Sequence, residues 1–347
     1  MDVDWRAVSR RREVETTVRW GIIGTANIAT KVARAISLAP GNEIVAIASR
    51  DKTRAAEWAK EHGAEKAYGS YEDCLADPEI DAVYIPLPPT LHADWTIRAA
   101  DAGKHVLSEK PLTVDPREAV EMVSACRTNN VQLMDGVMWV HHDRTKEIRA
   151  LLDRSELGEL RSVTSAFAFN WGATVPTANI RARKELGGGA LGDLGYYCVR
   201  GILWAFGEIP ERVFAASRYA NGVDIETSGM LFFSRERVAQ FDCGFTTKGR
   251  MRLELAASDG TLTIDDFVVP GSEEQASYSI RGRAQQPEVF TVGPCIQEVN
   301  MIARFSEIVQ SGSPVGVWPE EAVATVRTCA ALARSAETGA AVEVAPE

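Results

Sequence analysis

Short, nearly unbroken apolar runs alternate with amphipathic stretches along the first 140 residues. Val18 to Ile23 predicts a buried strand, Gly24 to Ala29 a turn, and Thr30 to Leu38 a helix with Val32, Ala35 and Ile36 on one face. A strand from Glu43 to Ser49, a helix from Lys52 to His62 stopped near Gly63, a short strand at Ala67-Tyr68 and a short helix from Tyr71 to Leu75 come next. Further strands are expected at Ala82 to Ile85, His105 to Leu107 and Gln132 to Met134, separated by helices from Leu91 to Ala102 and Pro116 to Asn129. Strands covered on both faces lose apolar–polar alternation, and the intervening helices supply the cover. This half therefore reads as α/β, a doubly wound parallel sheet.

Beyond about residue 140 the texture changes. A helix from Arg144 to Leu152 leads into longer runs, several with alternating polarity: Arg161 to Phe169, Arg212 to Arg218, Thr227 to Phe233, Val238 to Phe245, Arg250 to Ala256 and Thr261 to Ile264. Alternation of that kind predicts half-buried antiparallel strands. One helix, Ala190 to Ala205, interrupts them, and two more, Glu298 to Gln310 and Pro319 to Ala336, close the chain. Residues 271–287 are polar and turn-rich and read as a loop. The second half is thus expected to be α+β with an open, mostly antiparallel sheet.

A length of 347 residues fits two domains better than one core. We divide the chain into a flexible leader (1–17), an α/β domain (18–140) and an α+β domain (141–347). The leader carries Ser9-Arg10-Arg11-Arg12 among acidic residues and lacks an apolar stretch, so it does not read as a secretory signal. A net charge of −10 argues against nucleic acid or an anionic membrane as the main partner, but not against an anionic cofactor held by a few local cations. No run of about 18 apolar residues is present, so no membrane span is expected. The six cysteines are widely spaced, without a Cys-x-x-Cys pair, which fits reduced thiols in the cytoplasm.

Three segments carry candidate chemistry. Gly24 follows a strand and precedes a helix, where helix N-terminal amides can hold a pyrophosphate; this is the Rossmann arrangement. Thr25, Asn27 and Ile28 belong to the same turn. Ala29 is an accepted third residue of the glycine pattern, whereas Ala26 departs from it and narrows the turn. The second strand ends Ala48-Ser49-Arg50-Asp51. Ser49 and Arg50 suit the 2′-phosphate of NADP(H), with NAD(H) less favoured; the plainer alternative is that Asp51 caps a helix while Lys52 and Arg54 meet solvent. Lys110, in Ser108-Glu109-Lys110-Pro111-Leu112, lies at the C-terminal end of a parallel strand, where doubly wound sheets bind their ligands. The third segment is Gly187-Gly188-Gly189-Ala190-Leu191-Gly192-Asp193-Leu194-Gly195-Tyr196-Tyr197. Asp193 and Tyr197 are four apart and share one face of a helix. His141-His142 with Asp143 does not make a convincing metal site, since neighbouring side chains diverge.

With Leu87-Pro88-Pro89-Thr90-Leu91-His92 added, these motifs resemble the Gfo/Idh/MocA oxidoreductases over roughly residues 18–340. The resemblance implies a Rossmann domain, an open-sheet domain that commonly forms a dimer or tetramer interface, and a pocket holding Lys110, Asp193 and Tyr197. Leu87 and Glu109 are also expected beside the cofactor; His92, at the start of a helix after a parallel strand, is read either as near the nicotinamide or as a first-turn polar residue. The family usually has histidine where this chain has Tyr197. That moves the resemblance toward dihydrodiol dehydrogenases and nucleotide-3-ketosugar reductases, which use a Lys/Tyr pair. The implied reaction is hydride transfer between NADP(H) and a CH–OH or C=O carbon of a sugar, polyol or cyclic diol. Tyr197 would exchange the hydroxyl proton, Lys110 would lower its pKa, and Asp193 would position Lys110 or bind a substrate hydroxyl. Arg181, Arg183, Trp139 and Trp171 are weaker candidates for substrate contact. A nucleotide-3-ketosugar reductase, and an idle NADP-binding sensor or scaffold, stay open as alternatives.

Overall fold

Apolar runs with helical cover can pair side by side only in parallel, because each helix returns the chain to the same sheet end. The structure is a computed structural model, described for residues 17–171, 178–271, 275–282 and 286–344. Nearly all of the expected leader, residues 1–16, lies outside the described residues. Strands β1 (Val18–Ile23), β2 (Asn42–Ala48), β3 (Lys66–Tyr68), β4 (Ala82–Ile85), β5 (His105–Ser108) and β6 (Leu133–Asp135) form a six-stranded sheet in the order β3-β2-β1-β4-β5-β6. All its pairings are parallel. The order reverses between β1 and β4, and ligands of doubly wound sheets bind beyond the strand ends at that point.

Helices α1 (Asn27–Leu38), α2 (Lys52–His62), α3 (Tyr71–Leu75), α4 (His92–Asp101) and α5 (Pro116–Thr128) connect these strands. Asp51 caps α2, accepting from the amides of Thr53 and Arg54 at 2.9 and 3.2 Å. Helix α1 starts three residues earlier than the apolar spacing predicts, directly out of the glycine turn, and no side chain caps it.

After α6 (Asp143–Asp153) the second sheet begins. It has nine strands: β7 (Leu160–Asn170), β8 (Arg212–Ala220), β9 (Val223–Phe232), β10 (Val238–Gly244), β11 (Thr246–Ala257), β12 (Thr261–Ile264), β13 (Ala276–Arg281), β14 (Glu288–Val292) and β15 (Val342–Glu343). Their order is β14-β13-β12-β11-β7-β10-β9-β8-β15. Only the β10–β7 pairing is parallel. The loop expected over 271–287 is corrected here. Its middle is β13, whose Tyr278 is buried, stacks on Phe290 at 5.1 Å and donates to Glu147 at 2.6 Å.

Three helices join the two sheets. Helices α7 (Tyr196–Phe206) and α9 (Val317–Thr338) fill the space between the second sheet and one side of the first. Helix α8 (Gln297–Ser311) crosses back to the other side of the first sheet and packs Met301, Ile302 and Phe305 among Trp20, Ile22, Val32 and Ile36. Arg200 of α7 is 1% exposed; it donates to Asp135 of β6 at 3.0 Å and to Thr325 of α9 at 3.1 Å, and Glu321 lies 3.3 Å away. A buried arginine needs such partners, because an isolated charge in the interior is costly.

Candidate active site

The switch point opens into a cavity of about 420 Å³ lined by both halves of the chain. The first half contributes Ala26 and Ile28 from the glycine turn, Leu87 and Pro88 after β4, and Glu109 and Lys110 after β5. The second contributes Phe167 and Phe169 of β7, Arg181, the three glycines from Gly187, Asp193 and Tyr197. Val268 and Gln297 also line it.

Gly24 adopts φ +114°, and a Cβ there would lie 2.9 Å from Leu87 Cδ2. Only glycine lets the strand end turn this tightly against the β4 loop. The first amides of α1 are left without a side-chain cap, which suits a pyrophosphate. Ser49 is buried at the end of β2 and accepts from the Asp51 amide at 3.2 Å, while Arg50 is exposed. Arg54, which stays exposed, reaches back and donates to Thr25 O at 3.3 Å. Ser49 and Arg50 at the end of β2, with Arg54 reaching the glycine turn, fit an extra phosphate on the adenosine ribose.

Lys110 follows Glu109, and its peptide bond to Pro111 is cis. Its ammonium donates to Asp193 Oδ1 at 2.8 Å and to the Asp193 carbonyl at 2.9 Å. It also lies 4.5 Å from the centroid of the Tyr197 ring. Burial alone would lower the lysine pKa, but Asp193 and Tyr197 outweigh it and keep the ammonium charged. Asp193 also accepts from Arg181 Nε at 2.5 Å. Burial pushes its pKa up, and the two cations bring it below the usual carboxylate value. The shared helical face expected for Asp193 and Tyr197 takes a different form. Residues Leu191–Gly195 make a π-helical turn before α7, and it is Lys110 that brings the two side chains together.

Tyr197 is half-buried, and Phe167 meets it edge-on at 5.6 Å. Burial pushes its pKa up to about 12, with Lys110 pulling the other way. The expected lowering by lysine is therefore real in sign but smaller than the cost of desolvation. Tyr196 points to the core instead and donates to Asp135 at 2.9 Å.

Other expectations are corrected. His92 does not line the cavity; it is fully buried, with Nδ1 2.9 Å from Pro111 O and Nε2 2.7 Å from Leu87 O. It braces the two loops that shape the cofactor side. Trp139 is core, 1% exposed, packed edge-on against Trp204 and Phe267. Arg183 turns to Glu185 at the surface, 2.8 Å away. Trp171 packs on Phe245, and Arg181 lies across its face at 5.8 Å. His141 is buried against Trp318, where burial lowers its pKa to about 3. Among the described residues no group of three or more His, Cys, Asp or Glu could hold a metal.

Two residues escaped sequence reasoning. Tyr84 donates to Glu109 Oε1 at 2.6 Å and fixes the carboxyl beside the lysine. Asp224 of β9 accepts from the Leu191 amide at 2.7 Å and so caps the turn that carries Asp193. Phe167 and Phe169 were legible in principle, since alternate residues of a strand share a face.

Dinucleotide turn, strand order and a Lys/Asp/Tyr cluster at the switch point define an oxidoreductase built on a Rossmann domain. The chain belongs to the Gfo/Idh/MocA oxidoreductase family. The family model described as "Oxidoreductase family, NAD-binding Rossmann fold" matches residues 18–137, and that of the "GFO/IDH/MocA C-terminal domain" matches 145–263. A protein named D-xylose 1-dehydrogenase (NADP(+)) 2, from Haloferax volcanii, is 38% identical over 331 residues, 94% of this chain and 99% of its own. A trans-1,2-dihydrobenzene-1,2-diol dehydrogenase from Xenopus laevis is 34% identical over 254 residues, 72% of this chain and 76% of its own. The solved 3-ketoreductase KijD10 from Actinomadura kijaniata, in complex with NADP and TDP-benzene, superposes with a TM-score of 0.86 at 31% identity, covering 92% of this chain and 98% of that one.

Proposed function

We propose that the protein is an NADP(H)-dependent oxidoreductase acting on a CH–OH or C=O carbon of a sugar, polyol or cyclic diol. The observation that carries this reading is the Lys110–Asp193–Tyr197 cluster, set in a cavity that also borders the uncapped start of α1. A nicotinamide bound there would supply the hydride acceptor or donor. Ser49, Arg50 and Arg54 would hold the 2′-phosphate, and the first amides of α1 would hold the pyrophosphate.

Lys110 presents a cation to the reacting oxygen and polarises it. Asp193 keeps that cation aimed at the cavity, while its second oxygen is spent on Arg181. Tyr197 gives its proton to the developing alkoxide in reduction and takes the hydroxyl proton in oxidation. With its pKa pushed up to about 12, the phenol is protonated at neutral pH and ready as the acid.

The xylose dehydrogenase relative supports a sugar substrate and the dihydrodiol relative a cyclic diol. The nucleotide-3-ketosugar reductase alternative is supported by relatives named dTDP-3,4-didehydro-2,6-dideoxy-alpha-D-glucose 3-reductase and by the likeness to KijD10. The idle sensor is disfavoured because Lys110, Asp193 and Tyr197 are all retained and in contact. We further assign the working form to a homo-oligomer joined through the outer face of the second sheet. Phe214 and Met230 face each other there in register, each 40% exposed. Free thiols at all six cysteines agree with the cytoplasm.

The test is a panel of sugars, cyclitols and diols with NADP⁺, read as reduced-nicotinamide absorbance, for wild type, Lys110→Met and Tyr197→Phe. Each variant should lose about 10²–10⁴-fold in kcat and keep its affinity for NADPH. Full activity in Tyr197→Phe would remove its assigned role.

A further inference from the structure

The substrate end of the cavity has a polar feature that the hydride chemistry does not use. Arg181 sits in a single 3-10 turn, Ile180–Ala182, whose backbone is held twice. Its amide donates to Asn179 Oδ1 at 3.1 Å, and its carbonyl accepts from the Gly189 amide at 3.0 Å. Its Nε is spent on Asp193 and its plane rests on Trp171. A guanidinium pinned through Nε still has its two terminal nitrogens to offer. Among the described residues neither has a hydrogen-bond partner, and Arg181 lines the cavity.

Lys110 and Arg181 share one carboxylate, and both oxygens of Asp193 are taken. Glu109 is buried beside Lys110, where it accepts from Tyr84 and from the Lys110 amide. The walls around Arg181 are apolar: Phe167, Phe169, Ile180 and Leu186. The Arg181 side chain keeps 38% of its surface exposed, so its unfilled terminal nitrogens can exchange water for a ligand's acceptors, and a carboxylate offers two.

We infer that the preferred substrate is a hydroxy acid, a sugar acid or similar polyhydroxylated acid, whose carboxylate meets the terminal nitrogens of Arg181 while its reacting hydroxyl meets Lys110 and Tyr197. This rests on the oxidoreductase reading above. The planar fork of Arg181 can give a carboxylate two parallel N–H bonds. In oxidation the carbinol C–H bond breaks and its electron pair passes to the oxidised nicotinamide. The hydroxyl proton passes to Tyr197, the C=O bond forms, and the carboxylate is unchanged.

Matched pairs of neutral sugars and their uronic acids, glucose with glucuronate and galactose with galacturonate, test this with the full-length protein and NADP⁺. The acid of a pair should have a kcat/KM about ten- to a hundredfold higher, mostly through KM. Arg181→Leu should bring the ratio near one, and Arg181→Lys should keep part of it. Arg183→Ala, which removes a surface partner of Glu185, should keep the wild-type ratio. Titrating uronate and sugar into the NADPH-loaded protein should show the same preference as a ratio of Kd values, independent of turnover. Equal or better use of the neutral sugar by the wild type overturns the inference and leaves the oxidoreductase reading intact. No turnover of any sugar or acid, with NADPH tightly bound, overturns both.

Discussion

Tyr197 shows how two opposed effects are settled by size. Its desolvation exceeds the help it draws from Lys110, so its pKa lies at about 12. Oxidation needs the phenolate, whose fraction rises tenfold per pH unit below the pKa. Log kcat/KM for oxidation should therefore climb with a slope of about +1 between about pH 7 and 10, while reduction, which uses the phenol, stays flat. A pH–rate profile in both directions checks this. A plateau in oxidation near neutrality would exclude Tyr197 as the base in this form. Lys110 and Tyr197 were legible because each belongs to a short motif with its own physical sense. The Arg181–Asp193 pair and the brace at His92 were not. Their partners are set by backbone carbonyls and loop paths, which leave no trace in local pattern.

The element that matters most is the segment entering α7. Gly189 has φ +128°, and a Cβ there would stand 2.1 Å from Asp224 Oδ1. Gly189→Ala should thus cost roughly 2–4 kcal/mol and displace the Asp224 cap, lowering both the melting temperature and kcat. Asp224→Asn keeps an acceptor for the Leu191 amide and should retain more activity than Asp224→Ala; thermal melts beside turnover assays compare the two. Most strands and helices fell within a few residues of their apolar spacing. Strand β13 did not, because only Tyr278 and Ala276 of its six residues are buried, with Ser277 exposed between them. Three clues over six residues, flanked by turn-formers, read as loop. Its pairing with β12 and β14 supplies what its own sequence lacks.

At the scale of the molecule, the two halves are tied by charge as well as by apolar contact. Asp135→Ala strips Arg200 of a partner in a site 1% exposed, leaving the half-exposed Glu321 as its counter-ion among the described residues. That should destabilise the fold by about 3–5 kcal/mol, measurable as a lower midpoint in urea. On the outer face of the second sheet, Phe214→Glu with Met230→Glu should shift the protein to a smaller species by size-exclusion chromatography with light scattering. An unchanged mass would place the interface elsewhere.

Helix α8 has a consequence for how the chain is made. The side of the first sheet that carries Trp20 and Ile22 is finished by Met301, Ile302 and Phe305, from near the other end of the sequence. A ribosome adding ~5–20 residues/s therefore holds an open cofactor domain for on the order of ten seconds or more, with indole and aliphatic surface awaiting its lid. Residues 17–140 expressed alone should bind a hydrophobic dye and melt without cooperativity. Chains interrupted before α8 would reach the cell's quality control as sticky, half-closed sheets rather than as working nucleotide binders.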